Sequence, residues 1–381
     1  MCTKNRAYKF RIYPTKEQVV LFMKTFGCCR KVWNLMLADK ISRYQKDKTI
    51  LHNTPAMYKE DHPYLKEVDS LALANVQLHL QTAYHNFYTN PRTGFPKFKS
   101  RRHSRFSYTT NNQKDSVRIT DQGQIRLPKV GMIKAVIHRN IPAGYRIKSA
   151  TVSMEKDGTF YCSVLCEYET DIKPVSDPFA NAVGLDYKSD GFYVDSNGHT
   201  CGSPKFYRKA QRRLSVEQKR LSRKHGSRKG EHASKNFEKQ KRRVAKVSRH
   251  IANQRNDFLH KESTAITKQY DAVCVETLNI KAMSNKGFGN GKATMDNGWG
   301  MFLNMLEYKL ADRGKILMKV DKWFPSSQLC SCCGYRNHEV KNLTVRDWIC
   351  PVCGAVHDRD ENSSVNILGE GRRMYFAAMC G

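Results

Sequence analysis

The chain has 381 residues, of which 40% are hydrophobic, and it carries a formal net charge of +31 at pH 7 with a pI near 9.7. This length allows two or three domains with substantial cores, and the excess of Lys and Arg predicts a large polyanionic partner, for which nucleic acid is the obvious candidate. The first residues lack the apolar segment of a secretory signal, and no stretch reaches the roughly 18 apolar residues of a membrane-spanning helix, so we expect a cytoplasmic protein with no membrane partner.

The N-terminal stretch AYKFRIYP has the pattern of a strand that leads into a helix. Its aromatic and aliphatic residues alternate with Lys9 and Arg11, which predicts one apolar and one basic face. The two cations are therefore candidates for nucleic-acid contacts. Apolar residues then recur with a helical period from Thr15 to about Leu37, and Thr15 with Gln18 resembles a capping box.

A second helix is predicted from about Asp69 to Tyr88, with one apolar, core-facing surface. The opposite face could read base edges, although a plain solvated face fits equally well; its candidates are Ser70, Asn75, Gln77 and His79. Between residues 93 and 175 the pattern changes to short alternating runs with turn signals such as DQG and KDG, which is typical of a β-barrel. If the first strand pairs into this barrel, the helical region of roughly 15–90 is an insertion.

About half of the net charge lies between Lys205 and Arg249, where 18 Lys and Arg stand against three Glu. Apolar residues recur there at helical spacings, so we predict two basic helices around a turn at HGSRKG, residues 225–230. Phosphate contacts release counterions, so such a pair is suited to nucleic acid; two solvated surface helices are the alternative. The candidate contacts are Arg208, Arg212, Arg213, Arg220, Arg223 and Lys224.

Two short apolar runs each end in an acid. Residues 182–185 lead to Asp186, followed by a predicted antiparallel strand, and residues 272–275 lead to Glu276. Continuous apolar runs indicate strands buried on both faces, so each acid is expected where the sheet meets solvent. With a helix at about 295–313 and a third such strand at 315–324, the order of elements fits an α/β layer of the ribonuclease H type.

A third acidic segment, HDRDENSSVNIL, leads into a predicted helix. Carboxylates in a first helical turn are stabilised by unpaired backbone N–H groups, so capping alone is one explanation for Asp358 or Asp360. The other explanation is catalytic. Asp186, Glu276 and Asp360 lie on three elements of one predicted sheet, and such a group can hold two Mg²⁺ ions roughly 3.5–4 Å apart, as in-line phosphodiester cleavage requires.

The most specific motif is two Cys-x2-Cys pairs separated by 16 residues, formed by Cys330, Cys333, Cys350 and Cys353. The spacing matches a closed zinc site of four thiolates, so we predict one structural Zn²⁺ in a ribbon of about 325–357. Gly334 and Gly354 follow the two pairs and supply the backbone freedom that such turns need. Cys332 is surplus to this set; its position inside the first pair makes it an alternative ligand, but Cys330 and Cys333 have the standard spacing.

Together these motifs resemble the TnpB proteins, a RuvC-containing family that is carried by bacterial insertion sequences and related to type V CRISPR effectors. YKFRIYPTKEQ and FGCCRKVWN are similar to its N-terminal region, VGLDYKSDG to its first RuvC motif, VETLNIKAM to its second, and the zinc ribbon with DRDENSSVNI to its third. The likeness covers nearly the whole chain. It departs at Tyr187 and Lys188, where many members have an apolar residue and Gly, at Ser363 and Ser364, where Ala is commoner, and at Ala74, where Gln is frequent.

The resemblance implies a multidomain α+β fold. Its parts are a wedge-like β-barrel domain at 1–14 and 91–178, a helical recognition domain inserted at 15–90, and a RuvC-like, ribonuclease H-type nuclease domain at 179–381 with basic helices at 204–265. It also implies that Asp186, Glu276 and Asp360 are the metal-binding catalytic acids, because Asp360 occupies the D-x-N position of the third motif.

The implied activity is RNA-guided cleavage of double-stranded target DNA beside a short flanking motif, with a guide RNA transcribed from the element. The implied form is a monomeric ribonucleoprotein that acts at the bacterial nucleoid. Two alternatives remain, a nuclease-inactive RNA-guided repressor and a transposase that joins strands itself. Retention of all three acids disfavours the repressor, and the lack of an obvious Tyr nucleophile motif disfavours the transposase.

Overall fold

The structure is a computed structural model that describes residues 2–226, 233–285, 291–342 and 344–380. The chain divides into two compact units, Met1–Asp171 and Ile172–Gly381, so the division falls shortly before the predicted domain boundary at 178/179. Most of the predicted turn at 225–230 lies outside the described residues. Within the described ranges, no helix is long and apolar enough to cross a membrane.

The N-terminal unit is built on one antiparallel sheet of seven strands, in the order β2-β6-β7-β1-β5-β4-β3. The strands are β1 (Cys2–Tyr13), β2 (Phe106–Asn111), β3 (Arg118–Thr120), β4 (Gln124–Leu127), β5 (Gly131–Val136), β6 (Arg146–Met154) and β7 (Phe160–Thr170). As predicted, β1 pairs with later strands, since it lies between β7 and β5. The predicted closed barrel is not found, because β2 and β3 are the edges of an open sheet among the described residues.

Two helices pack on this sheet, α1 (Lys16–Asp47) and α2 (Ser70–Thr89), with short 3₁₀ helices at Pro55–Tyr58 and Pro63–Lys66 between them. The predicted capping box is present, since Thr15 Oγ1 accepts from the Gln18 N–H and Gln18 Oε1 accepts from the Thr15 N–H. α1 continues about ten residues beyond its predicted end. Phe22 of α1 and Leu73 of α2 share one core with Phe10 of the sheet, so the helices have no separate core.

The C-terminal unit contains a five-stranded sheet in the order β10-β9-β8-β11-β12. Its strands are β8 (Ala182–Tyr187), β9 (Tyr193–Asp195), β10 (Thr200–Cys201), β11 (Ala272–Glu276) and β12 (Ile316–Val320). β8, β11 and β12 are parallel, and β9 forms an antiparallel hairpin with β8. The predicted order of hairpin, basic helices, strand, helix and strand is confirmed.

Helices cover both faces of this sheet. The helices of this unit are α3 (Phe206–Ser222), α4 (Lys235–Gln269), α5 (Ile280–Met283), α6 (Gly291–Asn297), α7 (Trp299–Ala311) and α8 (Arg359–Cys380). On one face, Val273 of β11 packs with Phe302 of α7, and on the other, Cys274 of β11 packs with Ile367 of α8. Burial on both faces explains the continuous apolar runs. α8 approaches the sheet closely, because a Cβ on Gly184 would lie 2.1 Å from the Ser364 carbonyl oxygen.

Candidate functional site

The four cysteines of the two Cys-x2-Cys pairs meet at one point, with their Sγ atoms within 4.8 Å of one another. The Cys330–Cys353 and Cys333–Cys350 Sγ distances are both 3.6 Å. A tetrahedral zinc with Zn–S bonds of about 2.3 Å separates its sulfur ligands by roughly 3.8 Å. The donor set and its dimensions therefore fit one zinc ion.

The two turns that carry these cysteines have the same backbone. The Gly334 N–H donates to the Cys330 carbonyl and the Gly354 N–H donates to the Cys350 carbonyl, each at 2.9 Å. The two glycines have φ values of +77° and +70°, which other residues adopt only with strain. The conformational role predicted for both glycines is confirmed.

His357 also contacts the cysteine cluster. In the ribbon, β13 (Asp347–Ile349) pairs with β14 (Val356–Asp358), so that Trp348 lies opposite His357. His357 Nε2 is 3.1 Å from Cys330 Sγ, and the two ring centroids are 4.7 Å apart. Burial lowers the pKa of His357 and so favours the neutral ring, whose Nε2–H tautomer can donate to the thiolate. The spacing of the cysteines in the sequence did not predict this contact.

Asp186 and Glu276 lie side by side at the carboxyl ends of adjacent parallel strands. β8 and β11 pair with Leu185 opposite Val275, and the next residue on each strand is the acid. On the other side of β11, Glu276 pairs with Val320 of β12. Asp360, in the first turn of α8, lies close enough for its charge to act on Asp186. The structure thus brings the three predicted acids to one edge of the sheet, called here the acidic edge.

Burial and mutual repulsion make the acidic edge costly to ionise. The pKa of Asp186 is raised well above its ordinary value, first by burial and then by the charges of Glu276 and Asp360. Burial alone raises the pKa of Glu276 to about 7. Carboxylates that cannot all ionise together are suited to a bound divalent cation, which supplies the missing positive charge.

Capping is the role of Asp358 rather than Asp360. Asp358 Oδ1 accepts from the N–H groups of Asp360 and Glu361 at 2.9 and 2.8 Å. The carboxylate of Asp360 instead pairs with Lys188 Nζ at 3.0 Å and with Arg346 Nη1 at 3.3 Å. The sequence marked Lys188 only as a departure from the first RuvC motif.

The start of α8 is fastened to the segment that enters the first cysteine turn. Asn362 Nδ2 donates to the Leu329 carbonyl at 2.7 Å, and its Oδ1 accepts from the Ser331 N–H at 2.9 Å. Asn366 Nδ2 donates to the carbonyls of Leu329 and Ser326 at 2.7 and 2.8 Å. The backbone around Cys330 and the helical turn of Asp360 are therefore held in one hydrogen-bonded frame.

Ser363 connects the same frame to Asp186. Its Oγ lies 2.9 Å from Ser326 Oγ, and its hydrogen bond to the Asp186 carboxylate favours the charged form and so lowers the pKa of that acid. An Ala at this position would leave both contacts unmade. The departure from the commoner Ala therefore has a direct effect on the acidic edge.

The basic candidates of the C-terminal unit are all exposed on α3 and the residues after it: Arg208, Arg212, Arg213, Arg220, Arg223 and Lys224. Leu214 of α3 packs on Val247 and Ile251 of α4. Between these helices lies an open crevice of about 480 Å³. It is lined by Ala210, Glu217, Val247 and Ile251 and by the basic residues Arg213, Arg243, Lys246 and His250. Sequence periodicity did not single out those last three residues.

The candidates of the N-terminal unit differ in accessibility. Lys9 and Arg11 are exposed and lie over the rings of Tyr161 and Tyr13. Ser70 and His79 are exposed, and Gln77 is partly exposed. Asn75 is a correction, because it is 6% exposed and its Nδ2 donates to the Leu71 carbonyl of its own helix, so it cannot read base edges.

Three family models match parts of the chain. A helix-turn-helix domain model, HTH_OrfB_IS605, matches residues 1–49, and the OrfB_IS605 model, described as a probable transposase, matches residues 163–286. The model of a Cas12f1-like TNB domain matches residues 299–367, which include the ribbon and most of the acidic segment after it.

Whole-length relatives match as well. A protein named "Putative RNA-guided DNA endonuclease" from Streptomyces pristinaespiralis is 35% identical, over 99% of this chain and 91% of that protein. "Putative RNA-guided DNA endonuclease InsQ" from Escherichia coli K12 is 29% identical, over 96% and 92% of the two chains. In fold, the chain is similar to the protein in the cryo-EM structure of the Cas12f1-sgRNA-target DNA complex, with a TM-score of 0.60 and 13% identity, over 96% of this chain and 99% of that chain.

Proposed function

The chain belongs to the TnpB family of RNA-guided DNA endonucleases of insertion sequences, and we propose that it hydrolyses both strands of target DNA at its acidic edge. The observation that carries this proposal is the register of β8 and β11, which sets Asp186 beside Glu276 within electrostatic reach of Asp360. Three mutually repelling carboxylates, two of them with raised pKa values, form an arrangement that a folded chain sustains for a cationic ligand.

We propose Mg²⁺ as that ligand, two ions in number, with Asp186, Glu276 and Asp360 as the residues that hold them. The donor chemistry fits, because hard cations prefer carboxylate oxygens, although the oxygens of the three acids do not all lie within 4.8 Å of one another. When bound, such ions activate a water molecule and stabilise the charge that develops on the phosphate. The chain itself orients the carboxylates: the strand register places two of them, and Asp358 caps the helix that presents Asp360.

We propose a structural zinc in the ribbon, held by the thiolates of Cys330, Cys333, Cys350 and Cys353. The fastening of α8 to Leu329 and Ser331 gives this ion a task beyond folding the ribbon. Zinc stiffens the turn from which the third acid is aligned. This is our explanation for a zinc ribbon directly before a catalytic acid.

We propose the exposed cations of α3 and the crevice between α3 and α4 as a site for guide RNA. The crevice combines cations with apolar residues, so it can contact phosphates and the face of a base. Base pairing by the guide supplies sequence specificity. We further propose that Lys9, Arg11, Ser70, Gln77 and His79 contact double-stranded DNA at the flanking motif, that the ribonucleoprotein is monomeric and that it acts in the bacterial cytoplasm.

The test is guided cleavage by the complex that forms when the protein is expressed with its element. Co-purifying RNA is sequenced, and a plasmid carrying the matching target is incubated with the complex and Mg²⁺. We expect double-strand cleavage by the intact protein and a loss of at least about 1,000-fold in Asp186→Ala, because the metal site loses a central ligand. RNA and DNA binding should persist in this variant.

Three results would contradict the proposal. Cleavage by Asp186→Ala at the rate of the intact protein would remove this acid from the site. Full target binding without nicking by the intact complex would establish an RNA-guided repressor. A strand-transfer product formed without RNA would establish a transposase.

A further inference from the structure

The ammonium group of Lys188 lies inside the acidic edge, two residues after Asp186. Its Nζ is 3.0 Å from Asp360 Oδ2, and the Lys188 side chain is 28% exposed. Arg346, the other cation on Asp360, is 53% exposed and lies farther away, at 3.3 Å. The more enclosed positive charge at the acidic edge therefore belongs to a residue that the family resemblance does not account for, since many TnpB proteins have Gly at this position.

Hydrogen bonds fix the backbone of Lys188, while its long side chain can still change conformation. The buried Asn297 directs its Nδ2 at the carbonyls of Gly191, Ser189 and Lys188, at 3.0, 3.3 and 3.4 Å. The Lys188 N–H donates to the Phe192 carbonyl at 3.2 Å. A four-carbon stem on such a fixed base can move its ammonium group by several ångströms without a change of fold.

The ion pair and a bound divalent cation compete for the same carboxylate. An ammonium group that stayed 3.0 Å from Asp360 Oδ2 would repel a divalent cation bound there, and in a partly buried site this repulsion is screened only weakly. Lys188 must therefore leave Asp360 when the metal site fills. The phosphate that enters with the substrate carries the nearest new negative charge.

We propose that Lys188 is a catalytic residue that changes partner: it neutralises Asp360 in the metal-free protein and contacts a non-bridging oxygen of the scissile phosphate once metal and DNA are bound. This inference rests on the proposed function and deepens it. It gives the Lys188 ammonium group two roles: it binds the phosphate of the substrate, and before that it competes with the metal for Asp360. Two opposite effects follow when the charge is removed, tighter metal binding and slower cleavage.

The test uses Lys188→Met, which keeps most of the stem and removes the charge. Mn²⁺ binding to the RNA-loaded protein is titrated by electron paramagnetic resonance without target DNA, and the Asp186→Ala complex with the same RNA provides the background. We expect about tenfold tighter Mn²⁺ binding in Lys188→Met, which corresponds to about 1.4 kcal/mol. At saturating Mn²⁺, its single-turnover cleavage should fall by about 100-fold.

Lys261→Met is the matched control, because it removes one positive charge from an exposed ion pair with Asp257 in the same unit. It should leave both measurements unchanged. Lys188→Arg keeps the charge and should retain weak Mn²⁺ binding with part of the cleavage rate, which also separates charge from stability. Unchanged Mn²⁺ affinity in Lys188→Met, or an unchanged rate at saturating metal, would overturn the inference.

The proposed function fails in a different way in the same titration. If the intact complex and Asp186→Ala bind equal amounts of Mn²⁺, the acidic edge holds no metal. If they differ but Lys188→Met matches the intact complex, the metal site stands and only the role of Lys188 is wrong.

Discussion

The cysteine cluster and the acidic edge of the C-terminal unit are built in opposite ways. The cysteines come from two short turns with identical backbone hydrogen bonds, and each turn is complete within a few residues. The acids come from β8, β11 and α8, whose positions in the chain are separated by many residues. The first arrangement depends on local geometry, whereas the second depends on strand register and helix packing across the whole unit.

This contrast shows where positioning errors arise. A local turn either forms or fails, but an acid at a strand end moves when any neighbouring element shifts. Asn362 and Asn366 donate hydrogen bonds to the segment before the first cysteine turn. These bonds therefore fix the start of α8, and with it Asp360 of the acidic edge, to the rigid cysteine cluster.

Among the changes that test this connection, removal of the zinc should have the largest effect. Cys350→Ser removes one thiolate and should release zinc from the isolated protein, as metal analysis will show. Guided cleavage should fall by at least about 100-fold, although this sulfur belongs to the ribbon, because Asp360 loses its fixed support.

Cys332→Ser is the control, since this exposed thiol lies outside the four-cysteine set, although its Sγ is within 4.8 Å of Cys330 Sγ and of a His357 ring nitrogen. It should keep both zinc and cleavage. Full cleavage by a zinc-free Cys350→Ser protein would show that the ribbon does not support the acidic edge.

A smaller effect is expected from the pH dependence of stability. The pKa of Glu276 is about 7 in the fold and near 4.5 when unfolded, so the folded state binds more protons between these values. Glu276 should therefore lower the free energy of unfolding of the metal-free protein by about 2–3 kcal/mol as the pH rises from 5 to 8, and Asp186 should lower it further. Chemical denaturation of the intact protein and of Glu276→Gln isolates this contribution, because the variant lacks the titrating group.

Added Mg²⁺ should offset the loss at pH 8 and have little effect at pH 5, where Glu276 is protonated. Identical pH profiles for the intact protein and Glu276→Gln would mean that burial does not disfavour the charge of this acid.

Sequence reasoning succeeded where the signal was local or periodic. The Cys-x2-Cys spacing gave a four-thiol cluster, the capping pattern at Thr15 gave the start of α1, and the alternation around Lys9 gave the two faces of β1. The apolar runs before Asp186 and Glu276 predicted two strands buried on both faces, because such strands carry no polar positions, and the structure pairs them in parallel.

It failed where the outcome depends on contacts between distant residues. Whether the N-terminal sheet closes depends on its edge strands, and no residue pattern marks β2 and β3 as the edges. Asn75 has the polarity of a surface residue, yet it is buried and bonded to its own helix. Lys188 looked like a departure from a motif, and only the fold reveals its ion pair with Asp360.

The smallest effect tests whether the cysteine cluster is as self-contained as its turns suggest. His357→Phe keeps an aromatic ring against Trp348 and removes the nitrogen that lies 3.1 Å from Cys330 Sγ. Loss of a hydrogen bond to a metal ligand weakens zinc binding by about 10-fold to 100-fold, and we expect the lower end here because one of four thiolates is affected. Competition with a colorimetric chelator measures the change, and Cys332→Ser again serves as control. Unchanged zinc affinity would mean that the cluster needs only its four sulfurs, while a loss of cleavage at full zinc occupancy would mean that His357 acts instead through the strand that leads to Asp360.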